Sequence, residues 1–188
     1  MSLSPYAFIP NPFETPEWAD ADALQEKFPW YAVRTRSNQE RIAATTFENK
    51  GYEQYLPVYR SRRRWSDRVV TTELPLFPGY VFCRFDHKQR LPIMTTPGVV
   101  SVVGFGNDPA PIPDSEIEAV HMVLGSGLAA EPYPFLQEGQ RIRVTHGSLK
   151  DLEGILVKKK SDWRLVVSVG MLQRSVSVEI DRDCVSTF

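Results

Sequence analysis

The stretch LPLFPGYVFCRF, residues 74–85, contains the pattern that decides the fold expected for this chain. It places aromatic side chains and a Pro-Gly turn directly before an apolar run. Consecutive apolar residues after a turn are typical of a strand that is buried on both faces, as in the centre of a sheet. An arginine-rich segment, RSRRRW at residues 60–65, lies just upstream. The sequence therefore predicts a central strand next to a strongly basic connection.

Strand and helix patterns alternate around this central strand. WYAVR at residues 30–34 is typical of a short strand, and SNQERIAATTFENKG at residues 37–51 is typical of an amphipathic helix. Ser37 and Glu40 have the spacing of a capping box, and Gly51 suits the left-handed residue that ends a helix. The apolar face of this helix is expected to hold Ile42, Ala43, Thr46 and Phe47.

Further elements complete an α+β domain, a mixed β-sheet flanked by helices. We expect strands at residues 52–59, 63–74 and 99–105, and a short helix at residues 90–95. A last helix begins at Pro113 and Asp114 and ends at Gly125. Its expected apolar face is Ile117, Val120, His121 and Leu124.

The C-terminal part of the chain has a different pattern. Four short strands are expected, at residues 140–145, 153–160, 163–169 and 174–180, with no helical period. Such a segment predicts a small all-β, SH3-like barrel. The domain organisation expected is an N-terminal arm (1–28) with at most a short helix at residues 18–27, the α+β domain (29–124), a linker (125–136) and the barrel (137–188).

Composition excludes several classes of function. No apolar run reaches the roughly 20 residues needed to cross a bilayer, and the first residues lack a secretion signal, so we expect a soluble, cytoplasmic protein with no membrane partner. The two cysteines, Cys83 and Cys184, and the three histidines are scattered, which argues against a metal site. No cofactor motif and no catalytic constellation is present, so an enzyme is not expected.

Charge changes sign along the chain. Residues 1–29 carry a net charge of −4, residues 30–90 carry +6, residues 91–140 carry −6 and residues 141–188 carry +3. Basic blocks indicate contact with polyanions, and the acidic blocks between them oppose indiscriminate binding of nucleic acid.

Four motifs in order carry a resemblance to a known family. They are PWYAVRTRSNQE, LPLFPGYVF, TTPGVVSVVGFG and GQRIRVTHGSLKDLEGIL. With these motifs the chain resembles the NusG family of transcription elongation factors over residues 29–188, as a NusG-type domain followed by a KOW domain. It looks closer to the specialised, RfaH-like paralogues than to the housekeeping members.

The resemblance implies a surface that binds the clamp helices of the RNA polymerase largest subunit. The residues it implies are Tyr31, Arg34, Phe77, Pro78, Gly79 and Tyr80. Phe77 and Tyr80 would be rigid apolar anchors, and Pro78 and Gly79 would fix the turn that presents them. The competing interpretation makes both aromatics core residues beside an ordinary turn.

Two further groups of residues are implied to contact partners. The non-template DNA strand would be contacted by Arg36, Arg41, Asn49, Lys50, Arg60, Arg62, Arg63, Arg64 and Arg68. Leu149 and Leu152 of the KOW domain would contact a small-subunit ribosomal protein or Rho. A solvated charged face for the arginines and core packing for the leucines are the alternatives.

The function expected from the resemblance is that of a monomeric, non-catalytic adaptor. It would bind RNA polymerase, suppress pausing or termination, and recruit a second partner through its KOW domain. A KOW-type RNA-binding or ribosome-binding protein is the alternative, and binding of the clamp helices by residues 29–124 distinguishes the two.

Overall fold

The computed structural model describes residues 28–64, 68–136, 139–159 and 162–187. The arm and the helix expected at residues 18–27 lie outside the described residues. Across those ranges, no helix combines the length and the apolar character needed to cross a membrane.

The described chain contains three α-helices and fourteen strands. The helices are α1 (Glu40–Asn49), α2 (Leu91–Met94) and α3 (Asp114–Gly125). The strands of the first part are β1 (Trp30–Thr35), β2 (Gln54–Tyr55), β3 (Val58–Arg64), β4 (Val69–Pro75), β5 (Tyr80–Arg84), β6 (Val99–Val102), β7 (Gly104–Phe105) and β8 (Asp108–Pro109). Those of the second part are β9 (Ala130–Pro134), β10 (Gln140–Val144), β11 (Glu153–Lys159), β12 (Asp162–Val169), β13 (Arg174–Glu179) and β14 (Val185–Thr187).

The first sheet has the strand order β2-β5-β1-β6, and its neighbouring strands are antiparallel. β5 lies between two partners, as the sequence predicts for the apolar run. Val81, Phe82 and Cys83 are fully buried because helices cover both faces of this sheet. The central-strand prediction is confirmed, and the mixed α/β character of the fold with it.

Alternation along β1 and β5 divides the first sheet into two faces. One face packs against α1 and α2 and contains Tyr31, Val33, Val81 and Cys83, together with Phe47 of α1 and Ile93 of α2. The other face packs against α3 and contains Trp30, Ala32 and Phe82, together with Ile117, Val120 and Val123 of α3. Arg84 fixes the start of α3 on this second face, since it forms ion pairs with Glu53 (3.3 Å) and Asp114 (3.1 Å).

α1 differs from the prediction at its start. Its N-cap is Gln39, without a side-chain hydrogen bond, so the capping box of Ser37 and Glu40 is wrong. Glu40 is buried, and its Oε1 accepts a hydrogen bond from the Gly79 N–H at 2.8 Å. Ile42 is 49% exposed, because the helix buries Ala43, Ala44 and Phe47 instead.

The single strand expected at residues 52–59 is two strands in two sheets. β2 pairs with β5, whereas β3 pairs with β4 in a separate two-stranded ribbon. Pro57 lies between β2 and β3 and has no N–H to donate, so the ladder is interrupted there. Its carbonyl accepts from the Leu76 N–H at 2.8 Å, which closes the base of the ribbon.

The second part forms one antiparallel sheet with the strand order β14-β10-β11-β12-β13-β9, called the C-terminal sheet below. The four strands expected from the sequence are present as β10 to β13. The strand pairing described is that of an open sheet, with β14 and β9 at its two edges, rather than the closed barrel expected. Gly154 of β11 allows close packing here, because a Cβ at this position would lie 2.6 Å from Leu165 Cδ1.

The segment expected to be a linker contains a strand. Residues Ala130–Pro134 form β9 and pair with β13, with Pro132 opposite Val176 and Pro134 opposite Arg174. Prolines are tolerated on an edge strand, since their missing N–H can lie on the unpaired side. The Gly- and Pro-rich composition concealed this strand.

Candidate interaction site

The turn at Phe77–Tyr80 is held by contacts to two elements. The Tyr80 N–H donates to the Phe77 carbonyl at 3.1 Å, and Gly79 has a φ of +85°, a conformation that favours glycine. The Gly79 carbonyl accepts from the Thr35 N–H at 2.8 Å, and its N–H donates to Glu40. The turn is therefore fixed relative to both β1 and α1.

Phe77 lies beneath this turn and is only 1% exposed. Its ring packs edge-to-face against Phe82, with the centroids 5.6 Å apart, inside the core under α3. The expectation that Phe77 is an exposed anchor is wrong in this conformation, because the side chain fills the core instead. The competing interpretation of Phe77 as a core residue is correct.

Tyr31 and Arg34 lie on opposite faces of β1. They are three residues apart in a strand, so their side chains point in opposite directions. Tyr31 is 3% exposed and packs against Phe85 at 4.8 Å on the α1 face, and burial, with a smaller effect of Asp86, raises its pKa. Of these two residues, Arg34 is the exposed one. It lies on the face of the sheet that includes Tyr80, and Tyr80 is its direct partner in the β1–β5 pair.

Of the expected polymerase surface, Arg34 and Pro78 are therefore exposed, and Gly79 and Tyr80 are half-buried. We call Arg34, Pro78 and Tyr80, which carry side chains toward solvent, the Tyr80 surface. The sequence interpretation missed an aromatic stack on the same face of the sheet. Tyr55 of β2 stacks on His121 of α3 with the ring centroids 3.6 Å apart, and burial raises the pKa of the Tyr55 phenol. No periodicity marks a two-residue strand, so only the tertiary structure reveals this pair.

The C-terminal sheet contacts the first domain at the Tyr80 surface. Arg174 Cζ lies 5.7 Å from the centroid of the Tyr80 ring, within the range of a cation–π contact. On α3, Glu116 Oε2 accepts a hydrogen bond from the Gly170 N–H at 3.1 Å. Burial raises the pKa of the Glu116 carboxyl, and the Gly170 hydrogen bond partly opposes this.

A cavity of about 710 Å³ lies between α3 and the C-terminal sheet. Its walls include Met122 of α3 and Ile155 of β11, and Glu118 and Asp151 also line it. The two parts of the molecule therefore touch at Glu116 and Tyr80, and buried apolar residues of both parts belong to one core cluster, while the cavity adjoins the Glu116–Gly170 contact.

The β3–β4 ribbon carries the arginine cluster. Arg60 is exposed and lies opposite Glu73, and Arg68 is exposed at the start of the return strand. Arg62, Arg63 and Arg64 occupy successive positions of β3 opposite Thr71, Val70 and Val69. The adjoining Trp65 lies outside the described residues.

The residues expected to contact DNA around α1 have different environments. Arg36 and Asn49 are exposed, and Arg36 is held through its backbone N–H to the Gly98 carbonyl at 2.8 Å. Arg41 pairs with Glu73 of the ribbon at 3.4 Å. The Lys50 ammonium donates to the Pro92 carbonyl at 2.7 Å and to Thr96 Oγ1 at 2.8 Å, so it joins α1 to the end of α2.

Leu149 and Leu152 are buried in the core of the C-terminal sheet, 2% and 5% exposed respectively. Their backbones are joined, since the Leu152 N–H donates to the Leu149 carbonyl at 3.0 Å. The expectation that they are exposed partner contacts is wrong for this conformation, because both complete the packing of the sheet.

In the ranges that the structure describes, no group of three or more His, Cys, Asp or Glu side chains is arranged to hold a metal ion. Burial raises the pKa of the Cys83 thiol to about 12, with a smaller contribution from Glu53. A thiol in this state is a poor nucleophile near neutral pH, because the thiolate is the reactive form.

Comparison with known proteins assigns the chain to a family. The model of the family described as "Transcription termination factor nusG" matches residues 28–121. The Escherichia coli O6:H1 protein named "Transcription termination/antitermination protein NusG" is 31% identical over 174 residues, which cover 81% of this chain and 92% of the relative. The chain belongs to the NusG family.

Other relatives extend over the same length of this NusG-family chain. The NusG protein of Thermus thermophilus is 28% identical over 175 residues, covering 81% of this chain and 94% of the relative. A solved structure titled "Domain interaction in Thermotoga maritima NusG" superposes with a TM-score of 0.52 at 21% identity, and covers 87% of this chain and 99% of its own. That superposition supports the fold alone.

Proposed function

We propose that this protein is a non-catalytic factor that acts on transcription termination or antitermination by binding RNA polymerase. The observation that carries the proposal is the match to relatives with this printed function across most of both chains. The position within the family, among specialised RfaH-like paralogues or housekeeping members, stays a prediction.

The Tyr80 surface is the proposed contact with the clamp helices of the polymerase largest subunit. Tyr80 is an amphipathic ring on a turn fixed by Glu40 and Thr35, so little conformational entropy is lost when it binds. Phe77 lies in the core beneath the turn, packed against Phe82, and would not contact the partner. Pro78 and Arg34 extend the surface on either side.

The β3–β4 ribbon is the proposed contact with the non-template DNA strand. Arg60 and Arg68 are exposed on it, and phosphates are the natural partners of such a cluster. Arg36 and Asn49 are exposed beyond β1 and on α1, and we retain them as secondary contacts. Lys50 is a weaker candidate, since its ammonium already has two acceptors.

The C-terminal sheet is the proposed KOW module, and we place its start at Ala130 because β9 pairs within it. It would recruit a small-subunit ribosomal protein or Rho. Arg174 covers part of the Tyr80 ring, so clamp helices and the docked sheet compete for one surface. Binding of polymerase would shift the protein toward the undocked state, and the size of the shift is set by the difference in the affinity of polymerase for the two states.

Transcription in vitro with purified bacterial RNA polymerase tests the proposal. The template carries a strong pause site and an intrinsic terminator, and read-through is measured with and without the protein. The wild type is expected to change pause lifetime or read-through, and Tyr80→Ala to lose most of that effect. A wild-type protein without effect on elongation or termination would contradict the proposal.

A further inference from the structure

Two arginines from different parts of the molecule lie near one aromatic ring. Arg34 of β1 lies directly opposite Tyr80 of β5, and side chains in such a pair share a face of the sheet about 5 Å apart. Arg174 of β13 reaches the same ring from the C-terminal sheet, at 5.7 Å from its centroid. Docking therefore assembles a pair of cations that neither part has alone.

Within the part of the chain that the structure describes, this pair of arginines has no acidic partner. Both arginines are exposed, and among the described residues neither side chain has a hydrogen bond or an ion pair with an acidic group. Four other arginines, Arg41, Arg84, Arg143 and Arg164, do pair with carboxylates. Two like charges held near one ring repel each other, so an anion between them would stabilise the arrangement.

The arrangement of the basic residues indicates what kind of anion fits. Arg36 is exposed two residues after Arg34, just beyond the end of β1, so a third guanidinium group lies near this pair along the chain. Several neighbouring guanidinium groups suit the repeated phosphates of a nucleic-acid strand better than one isolated phosphate. The segment that contains Arg34 and Arg36, residues 30–90, also carries the strongest positive charge of the chain, +6.

We propose that Arg34 and Arg174 together bind the phosphate backbone of a single-stranded nucleic acid, at a site that exists only while the C-terminal sheet is docked. Tyr80 orients Arg174 at this site through the contact with its ring. The site belongs to the free protein, because clamp helices on the Tyr80 surface would displace the sheet. It requires no polymerase and thus goes beyond the proposed function.

Fluorescence anisotropy with the full-length protein and labelled oligonucleotides of about 12 nucleotides, at about 50 mM salt, tests the site. One arm uses oligo-dT and the other oligo-U, which separates DNA from RNA as the source of the phosphates. The variants are Arg34→Gln and Arg174→Gln. The matched control is Arg141→Gln, an exposed arginine of β10 in the same sheet.

We expect each of the two variants to weaken binding at least about fivefold and to lower the salt slope by about one, as for loss of one phosphate contact. The control should change affinity less than about twofold, and thermal unfolding midpoints should confirm that all variants are folded. Poly-glutamate, an acidic polypeptide, serves as a competitor that is not a nucleic acid.

Three results would overturn the proposal. One is a loss of affinity in Arg141→Gln as large as in Arg174→Gln, which would indicate that binding responds only to the net charge of the protein. Another is a loss with only one of the two variants, which would exclude a composite site. The last is competition by poly-glutamate as strong as by unlabelled oligo-dT, which would indicate a partner that is an acidic protein.

Discussion

Glu40 shows at the scale of a single residue how a side chain expected to cap a helix stabilises a different feature. Its carboxylate is buried and accepts the hydrogen bond of the Gly79 N–H, in the turn that presents Tyr80. The spacing between Ser37 and Glu40 is compatible with a capping box, but Glu40 instead accepts a hydrogen bond from Gly79, 39 residues away. Local patterns do not reveal such long-range partners.

Removal of this carboxylate should destabilise the first domain. Glu40→Ala leaves the Gly79 N–H without its acceptor, so we expect the free energy of unfolding to fall by about 1–3 kcal/mol. Urea unfolding measures it. Glu48→Ala, an exposed glutamate of the same helix, is the control and should stay within about 0.5 kcal/mol of the wild type. Equal effects of the two substitutions would show that the turn does not depend on Glu40.

At the scale of elements, the sequence predicted what strong local patterns encode. The apolar run after the Pro-Gly turn is the buried central strand β5, and Pro113 with Asp114 marks the start of α3. The four C-terminal strands are also present. The sequence did not predict β9 because its prolines reduce strand propensity. This strand forms because its backbone can pair with β13 at the edge of the C-terminal sheet.

The candidate site was less predictable than the elements. The sequence located the turn, yet which of its aromatics is exposed depends on packing under α3, and Phe77 proved to be buried. Tyr31 could have been separated from Arg34 by the alternation of a strand alone. Arg174 and Glu116 could not be found, because their roles arise from contact between two parts of the chain.

Lys50 is predicted to stabilise an element contact rather than bind DNA. Lys50→Met retains most of the apolar stem but removes two hydrogen bonds to the end of α2, so we expect a loss of about 1 kcal/mol in unfolding free energy. Affinity for oligo-dT should change less than about twofold in the same preparation. An unchanged unfolding free energy with a severalfold loss of affinity for oligo-dT would indicate instead that Lys50 binds DNA.

At the scale of the whole molecule, docking of the C-terminal sheet should depend on pH through Glu116. Burial raises the pKa of this carboxyl in the docked state, so the docked state binds the proton more tightly than the undocked state. Docking is therefore strengthened as pH falls through the raised pKa, and weakened as pH rises through it. Small-angle scattering between pH 5 and 8 should show a radius of gyration that increases with pH.

Glu116→Gln tests the origin of this dependence. The amide keeps an acceptor for the Gly170 N–H but carries no charge, so docking should be tight and nearly independent of pH. Glu118→Gln, an exposed neighbour on α3, should keep the wild-type profile. A pH dependence that survives in Glu116→Gln would assign it to another group.

The central claim is that the Tyr80 surface binds RNA polymerase. The most direct test is to measure the affinity of the protein for purified core polymerase by biolayer interferometry. Tyr80→Ala is compared with Ile42→Ala, which removes an exposed apolar side chain on α1, at the opposite face of the first sheet. We predict a loss of about tenfold or more for Tyr80→Ala and less than about twofold for Ile42→Ala. Wild-type affinity in Tyr80→Ala would contradict the claim.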